Sequence, residues 1–272
     1  RKYFRRQIAI TNEHGSWVFL ISPMLIGLFA GGSFSIGTTA FIGAALSLFL
    51  MRQPVSIMVK AYSGRRSRSD LPAARFWTVI YGGICSILAL NLILNGFGFV
   101  LLLAIPGLPI FIWHLYLISK REERRKIGIE IVGSGVLALS ATGAYWVSLS
   151  HPAQVGWWLW GLSWFQSAAS IVYAYLRLEQ RTWVEIPSIR SRLQAGNRAL
   201  LNTSFNLVTV LILSAVKILP TFLAVPYGVQ WLETIWGTTI GPAIGQKPTK
   251  IGIRQLVVST IFTIIFILTW KF

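Results

Sequence analysis

From Ser16 to Trp270 the chain is a succession of apolar runs divided by polar stretches, and those stretches alternate between strongly basic and nearly uncharged. The runs cover residues 16–30, 36–51, 76–94, 97–119, 127–149, 155–175 and 205–219, a weaker one to about residue 244 broken by Pro220 and Pro226, and 253–270. Most have the about 17–25 residues that a helix needs to cross the hydrocarbon core of a bilayer. Hydrocarbon offers no partner to a peptide N–H or C=O, so a run of this kind must satisfy its own backbone, as a helix does. The pattern therefore predicts an all-α, polytopic membrane protein of about nine transmembrane helices. It forms one helical domain over 1–272, with a basic tail at 1–15 and long cytoplasmic loops at 52–75 and 177–203.

Charge placement sharpens this reading. Only 12% of the 272 residues are charged, where a soluble domain carries about a quarter, and the mean hydropathy is +0.62. The net charge of +17 would suit a nucleic-acid partner, but its distribution points to the membrane instead. All but two of the 25 Lys and Arg lie in the N-terminal tail or in alternate loops, Lys217 and Lys271 being the exceptions. Basic loops stay on the cytoplasmic side, so the N-terminus is expected inside and the C-terminus outside, with no nucleic acid as partner. Cys85, the single cysteine, has no partner for an internal disulfide and reads as a small buried side chain.

The basic loops hold most of the candidate chemistry. Arg177, Arg181, Arg190, Arg192 and Arg198 follow the sixth run, together with Glu179 and Glu185, two of only eight acids. Arg52, Lys60, Arg65, Arg66, Arg68 and Arg75 follow the second. Arginine binds phosphate in a bidentate manner and stays charged, so Arg52, Lys60, Arg65, Arg66, Arg177 and Arg181 are candidates for a diphosphate or an anionic headgroup. Arg52 and Arg177 sit where helices end and their heads can turn into the bundle. The competing reading is plain topology plus attraction to acidic lipids, worth about 1 kcal/mol per residue. His14, beside Glu13 and Trp17, is either an acid–base or headgroup residue or part of a helix start capped by Asn12. Glu130 and Glu233 lie at membrane depth, where acids face a cavity or a cation. Lys126 is placed to pair with Glu130, and a structural contact between Glu233 and Lys217 is expected. Asn91, His114 and Gln166 read as interhelical hydrogen-bonding groups. Trp146, Trp157, Trp158, Trp160 and Trp164 read as an interfacial belt, with stacking of a tetrapyrrole or quinone as the alternative. Lys126-Ile-Gly-Ile-Glu130 and Lys250-Ile-Gly-Ile-Arg254 open the fifth and ninth runs alike.

Glu13-His14-Gly15-Ser16-Trp17, followed by Pro23 and Gly27, resembles the signature of the YwiC-like family of bacterial membrane proteins. Arg52-Gln53-Pro54 and the stretch 167–181, which contains Tyr173, Arg177, Glu179 and Arg181, fit the same resemblance. It implies a place in the bacterial cytoplasmic membrane. In helix number, orientation and loop placement the chain is also similar to the UbiA-type intramembrane prenyltransferases, which implies a UbiA-like helical bundle. Those enzymes hold Mg²⁺ on aspartate-rich motifs after helices 2 and 6. Here the first loop has only Asp70, and the second has Glu179 and Glu185 with no aspartate, so no metal, no cofactor and no Mg-dependent prenyl transfer is expected.

Together these readings point to a lipid-accessible cavity under the basic loops that binds an isoprenoid or anionic membrane lipid. The candidate ligands are His14, Trp17, Arg52, Lys60, Tyr173, Arg177, Glu179 and Arg181. The alternatives are an accessory subunit of a larger respiratory or photosynthetic membrane complex and, on the strength of the broken eighth run, a transporter.

Overall fold

The computed structural model describes residue 3 and residues 5–10, 14–120 and 127–271, with only the backbone of Arg6 and His14. Regular structure among these residues is helical throughout. A four-residue turn, α1 (Arg6–Ala9), precedes nine longer helices: α2 (His14–Gly31), α3 (Ile36–Tyr62), α4 (Leu71–Leu94), α5 (Ala104–Lys120), α6 (Ile127–Leu149), α7 (Val155–Gln180), α8 (Ile189–Ala215), α9 (Ala224–Thr239) and α10 (Pro248–Trp270). Their ends follow local chemistry. Ser35 and Thr38 form a reciprocal capping box at the start of α3, with Ser35 N–H donating to Thr38 Oγ1 at 2.8 Å and Thr38 N–H to Ser35 Oγ at 3.3 Å. Gly96 turns the chain after α4 at φ +84°, a left-handed conformation that glycine adopts without steric penalty. Pro248 opens α10 at its first turn, where its missing N–H would have had no partner in any case.

Two expected loops are much shorter than their hydropathy suggests. Residues 52–62 continue α3 and 71–75 open α4, leaving 63–70 as the connection. Residues 177–180 finish α7 and 189–203 begin α8, leaving 181–188. Leaving the apolar run does not end a helix. Arg, Lys, Gln and Leu are good helix formers, and their long side chains reach from the helix to water while the backbone continues. Among the described residues, six helical stretches are long and apolar enough to cross a membrane: 36–62, 68–94, 98–120, 127–149, 189–215 and 248–270. Of the other three, α2 and α9 are shorter, and α7 and α9 bury polar residues inside the bundle.

Side-chain registers fix how the helices run. Gly27 and Gly31 of α2 meet Ala141 and Ser148 of α6, so these two are parallel. Trp160 and Trp164 of α7 donate to Gly135 O and Ile131 O of α6, each at 2.8 Å, so α6 and α7 are antiparallel. Gln230 of α9 meets Gln166 of α7, and α9 Gly237 meets α7 Arg177, which makes α7 and α9 parallel. Arg254 of α10 reaches back to Glu233. Connections 63–70, 181–188 and 240–247 thereby lie at one end of the bundle, which is its basic end.

Close approach holds the helices together, as expected where lipid removes any hydrophobic drive between them. A Cβ on Gly27 would overlap the Ala141 carbonyl, and one on Gly31 would overlap Ser148. The main core cluster joins Ile26 of α2, Leu159 and Leu162 of α7, Val210 of α8, Tyr227 of α9, and Phe262 and Phe266 of α10. At the basic end the N-terminal segment is fastened across α3 and α4. Arg5 Nη1 and Arg66 Nε both contact buried Asp70, at 2.6 and 2.7 Å, Tyr81 Oη donates to Ala9 O at 2.9 Å, and Ile8 is buried.

Two outcomes follow. Gly27→Val should force α2 and α6 apart and cost at least about 1–3 kcal/mol, the usual range for overpacking, read as a lower thermal midpoint in detergent. Asp70→Asn should free the segment before α2, so limited proteolysis from that end should quicken while the thermal midpoint changes little.

Candidate anion site at the basic end of α7, α9 and α10

One face of α7 is buried along its length, through Leu159, Leu162, Gln166, Ser170, Tyr173, Arg177 and Gln180. Helical spacing of three and four residues puts these side chains in a single stripe. Near its end stands Arg177, with 1% of its surface exposed. Its Nη1 donates to Gln180 Oε1 at 2.9 Å, Gly237 O at 2.8 Å and Gly241 O at 2.5 Å. Gly237 belongs to the last turn of α9 and Gly241 lies just beyond it. Carbonyls there lack an intrahelical donor and carry the negative end of the helix dipole, so a buried guanidinium is a fitting cap. Arg192 of α8 donates to Thr239 O at the same terminus. Gln180 braces the arrangement, giving Nε2–H to Gly237 O at 3.0 Å and accepting from Ala243 N–H at 3.1 Å. Glycine at 237 is required sterically, since a Cβ would overlap the Tyr173 hydroxyl. One nitrogen is left over: Arg177 Nη2 is buried and meets no hydrogen-bond partner among the described residues.

Beside Arg177 lies an ion pair. Arg254 grips Glu233 with Nε on Oε1 at 2.6 Å and Nη2 on Oε2 at 2.7 Å. Tyr173 Oη donates to the same carboxylate at 3.0 Å. The Trp236 ring lies 3.9 Å from the Arg254 guanidinium carbon and 5.7 Å from that of Arg177, a geometry in which the ring face attracts the cation. Arg177 and Arg254 bring two positive charges and Glu233 one negative charge, so the group carries an excess of positive charge.

This placement corrects the expected Glu233–Lys217 contact. Because α9 runs towards the basic end, Glu233 lies under two turns from that end and meets α10. Lys217 follows the end of α8 at the far end of the bundle, exposed and in a left-handed turn at φ +60°. Of the other sequence candidates, Tyr173 and Arg177 come together, 5.8 Å from ring centre to guanidinium carbon. Glu179 and Arg181 are exposed at the end of α7. Arg52 and Lys60 are half-buried on α3, which packs on α4, α5 and α6. Trp17 is half-buried and meets Phe49 edge-on at 4.9 Å. The side chain of His14, with Asn12, Glu13 and Lys126, lies outside the described residues. Glu130 accepts a 2.6 Å bond from Tyr175 Oη. Gln166 does join helices, as expected, through Ser259 of α10. Trp146, Trp160 and Trp164 tie their indole N–H groups to backbone carbonyls at 2.8 Å, which makes them cross-links between α6, α7 and their connection. Trp157, Trp160 and Trp164 also line an apolar cavity of about 190 Å³ with Pro106 and Ile110 of α5.

Sequence reasoning missed Gln180, Trp236, Gly237, Gly241 and Arg254. Arg254 carried a signal, because it stands inside the opening turns of the ninth run, where a cation needs a partner as much as Glu233 does. The two glycines carried none, since their role depends on where α7 crosses α9.

Membrane-length apolar helices around a buried ionic cluster define an all-α integral membrane protein. The family model described as YwiC-like protein matches residues 10–145, half of the chain, and the chain belongs to that family. No curated protein and no solved structure matches it. The Arg177 cluster, on α7, α9 and α10, lies outside the matched segment.

Arg177→Met should strand Gly237 O, Gly241 O and Gln180 Oε1 in part and cost about 1–3 kcal/mol, the usual range for buried polar groups that lose a partner. Arg181→Ala, at an exposed position, should stay within about 0.5 kcal/mol of the parent. Thermal unfolding of both variants in one detergent checks the difference.

Proposed function

We propose that this membrane protein holds the anionic headgroup of a lipid, an isoprenoid phosphate or a phospholipid, at the basic end of the bundle, with Arg177 as its principal anion ligand. The observation that carries this reading is the spare buried nitrogen of Arg177 within a cluster of two guanidiniums and one carboxylate. A guanidinium cannot shed its charge at any working pH. Nη2 is closed off in this conformation, and an anion that enters by displacing the side chains over it would satisfy that nitrogen and balance the charge together. Arg181, Arg190, Lys247 and Lys250 are exposed around this end and raise the local concentration of anions. By the positive-inside rule the end faces the cytoplasm. Arg52 and Lys60 are a further basic pair for the headgroup or for the bilayer surface around it. The chemistry is binding rather than metal-assisted prenyl transfer, for which the acid-poor loops offer few ligands.

The test is native mass spectrometry of the delipidated full chain titrated with phosphatidylglycerol, a polyprenyl phosphate and phosphatidylcholine. The two anionic lipids should bind saturably and the zwitterionic one should not. Arg177→Gln keeps an amide donor for the α9 carbonyls and removes the charge. It should weaken anionic-lipid binding about tenfold, the effect of losing one charge-assisted contact of about 1.5 kcal/mol. Unchanged affinity in folded Arg177→Gln, or in that variant combined with Arg52→Ala, would overturn the reading. A fixed-ratio protein complex without lipid adducts would instead make the chain a subunit of a larger assembly.

A further inference from the structure

Hydrogen bonds between buried side chains gather along one seam of the bundle. Gln166 Nε2 of α7 donates to Ser170 Oγ and to Ser259 Oγ of α10, both at 3.1 Å. Gln230 Nε2 of α9 donates to Gln166 O at 3.0 Å and Ser170 Oγ at 3.1 Å. Thr263 follows Ser259 on α10, and its hydroxyl meets Ser22 of α2. Towards the basic end the same faces carry Tyr173, Arg177, Glu233 and Arg254. At about 1.5 Å per residue, Arg177 lies about 5 Å inside the end of α7 and Gln166 about 21 Å inside. Beyond that depth packed rings stand among the remaining hydroxyls of Ser163, Thr263 and Ser22. Tyr227 and Phe262 meet edge-on at 5.0 Å, Phe262 and Phe266 lie 5.8 Å apart, and the Tyr227 hydroxyl is tied to Leu162 O at 2.8 Å.

The contacts of Gln166, Ser170, Gln230 and Ser259 hold α7, α9 and α10 together, and they are graded along the bundle. Small residues suffice at the α2–α6 crossing, and single polar contacts contribute modestly in membranes. Here hydroxyls and carboxamides are continuous from a cationic mouth to more than halfway along α7, and aromatic rings close the far side. Two buried α7 atoms lack a partner among the described residues, Arg177 Nη2 at the mouth and Ser163 Oγ three residues past Gln166. The flanking helix α9 is short, follows a turn that begins at Pro220 and carries Pro226 in its first turn, the kind of interruption that marks solute sites in transporters.

We propose that the seam between α7, α9 and α10 is a one-sided access path, along which a small hydrogen-bonding anion moves from the basic end to the level of Gln166 and Ser259. The Tyr227–Phe262–Phe266 cluster is the barrier that must part for transfer across the membrane. The excess charge at Arg177 and Arg254 selects the anion. Hydroxyl and carboxamide groups replace its hydration deeper in. The path does not depend on the headgroup reading, since lipid can bind at the mouth of a seam that never opens.

The experiment places Ser259→Cys in a Cys85→Ser background and exposes oriented membrane vesicles, from each face in turn, to sulfonatoethyl and trimethylammonioethyl methanethiosulfonate. Intact-protein mass reads the modification. Cysteine at 259 should react from the basic-end face, the anionic reagent about tenfold faster than the cationic one, as a focusing positive field gives. Arg177→Gln in the same background should remove that preference, and Ile264→Cys, exposed on the outside of α10, should react from neither face. If Ser259→Cys does not fold, Ser170→Cys serves in its place. Silence towards both reagents, reaction from the far face, or equal rates for anion and cation would overturn the proposal.

Discussion

A guanidinium buried among helices must find permanent partners, and the end of α9 supplies them for Arg177. Three carbonyl and carboxamide oxygens on one side chain determine where α7 stops, where α9 stops and how the 240–247 connection folds over both. Gly237 and Gly241 follow from this, because their carbonyls must approach a crowded guanidinium and ring. Arg192 repeats the solution from α8. The negative end of one helix dipole thus organises three helices, and it does so with charges that also suit an external anion.

The two halves of the chain solve the problem of cohesion in lipid differently. Around α2, α3, α4 and α6, close contact rests on Gly27, Gly31 and Gly43, with Asp70 pinning the N-terminal segment. Around α7, α9 and α10, cohesion rests on carboxamides, hydroxyls and the Glu233–Arg254 pair. The family match covers the first kind of packing and ends before the second. Shared ancestry is therefore visible in the scaffold, while the polar seam is the part of this chain with the most chemistry.

Much of the fold was legible because hydropathy acts over whole helices. Runs at 127–149 and 253–270 correspond closely to α6 and α10. Helix ends were less legible, since Arg52 and Lys60 extend α3 as readily as apolar residues would. At the site, Arg177 stood out in the sequence by its position at a helix end, and the structure sets Tyr173 beside it. The partner of Glu233 was misassigned because sequence order placed it near Lys217, whereas helix direction placed it against Arg254. Gly241 and Gln180 matter through a crossing that no local pattern encodes.

Whether the spare nitrogen of Arg177 receives an anion is visible in a density map of the protein in nanodiscs containing phosphatidylglycerol. Headgroup density is expected within about 3 Å of Arg177 Nη2, with the Gly237 and Gly241 carbonyls still bound to Nη1. A map in which Nη2 is satisfied by the protein's own carbonyls or by solvent alone, with lipid headgroups elsewhere, would contradict it.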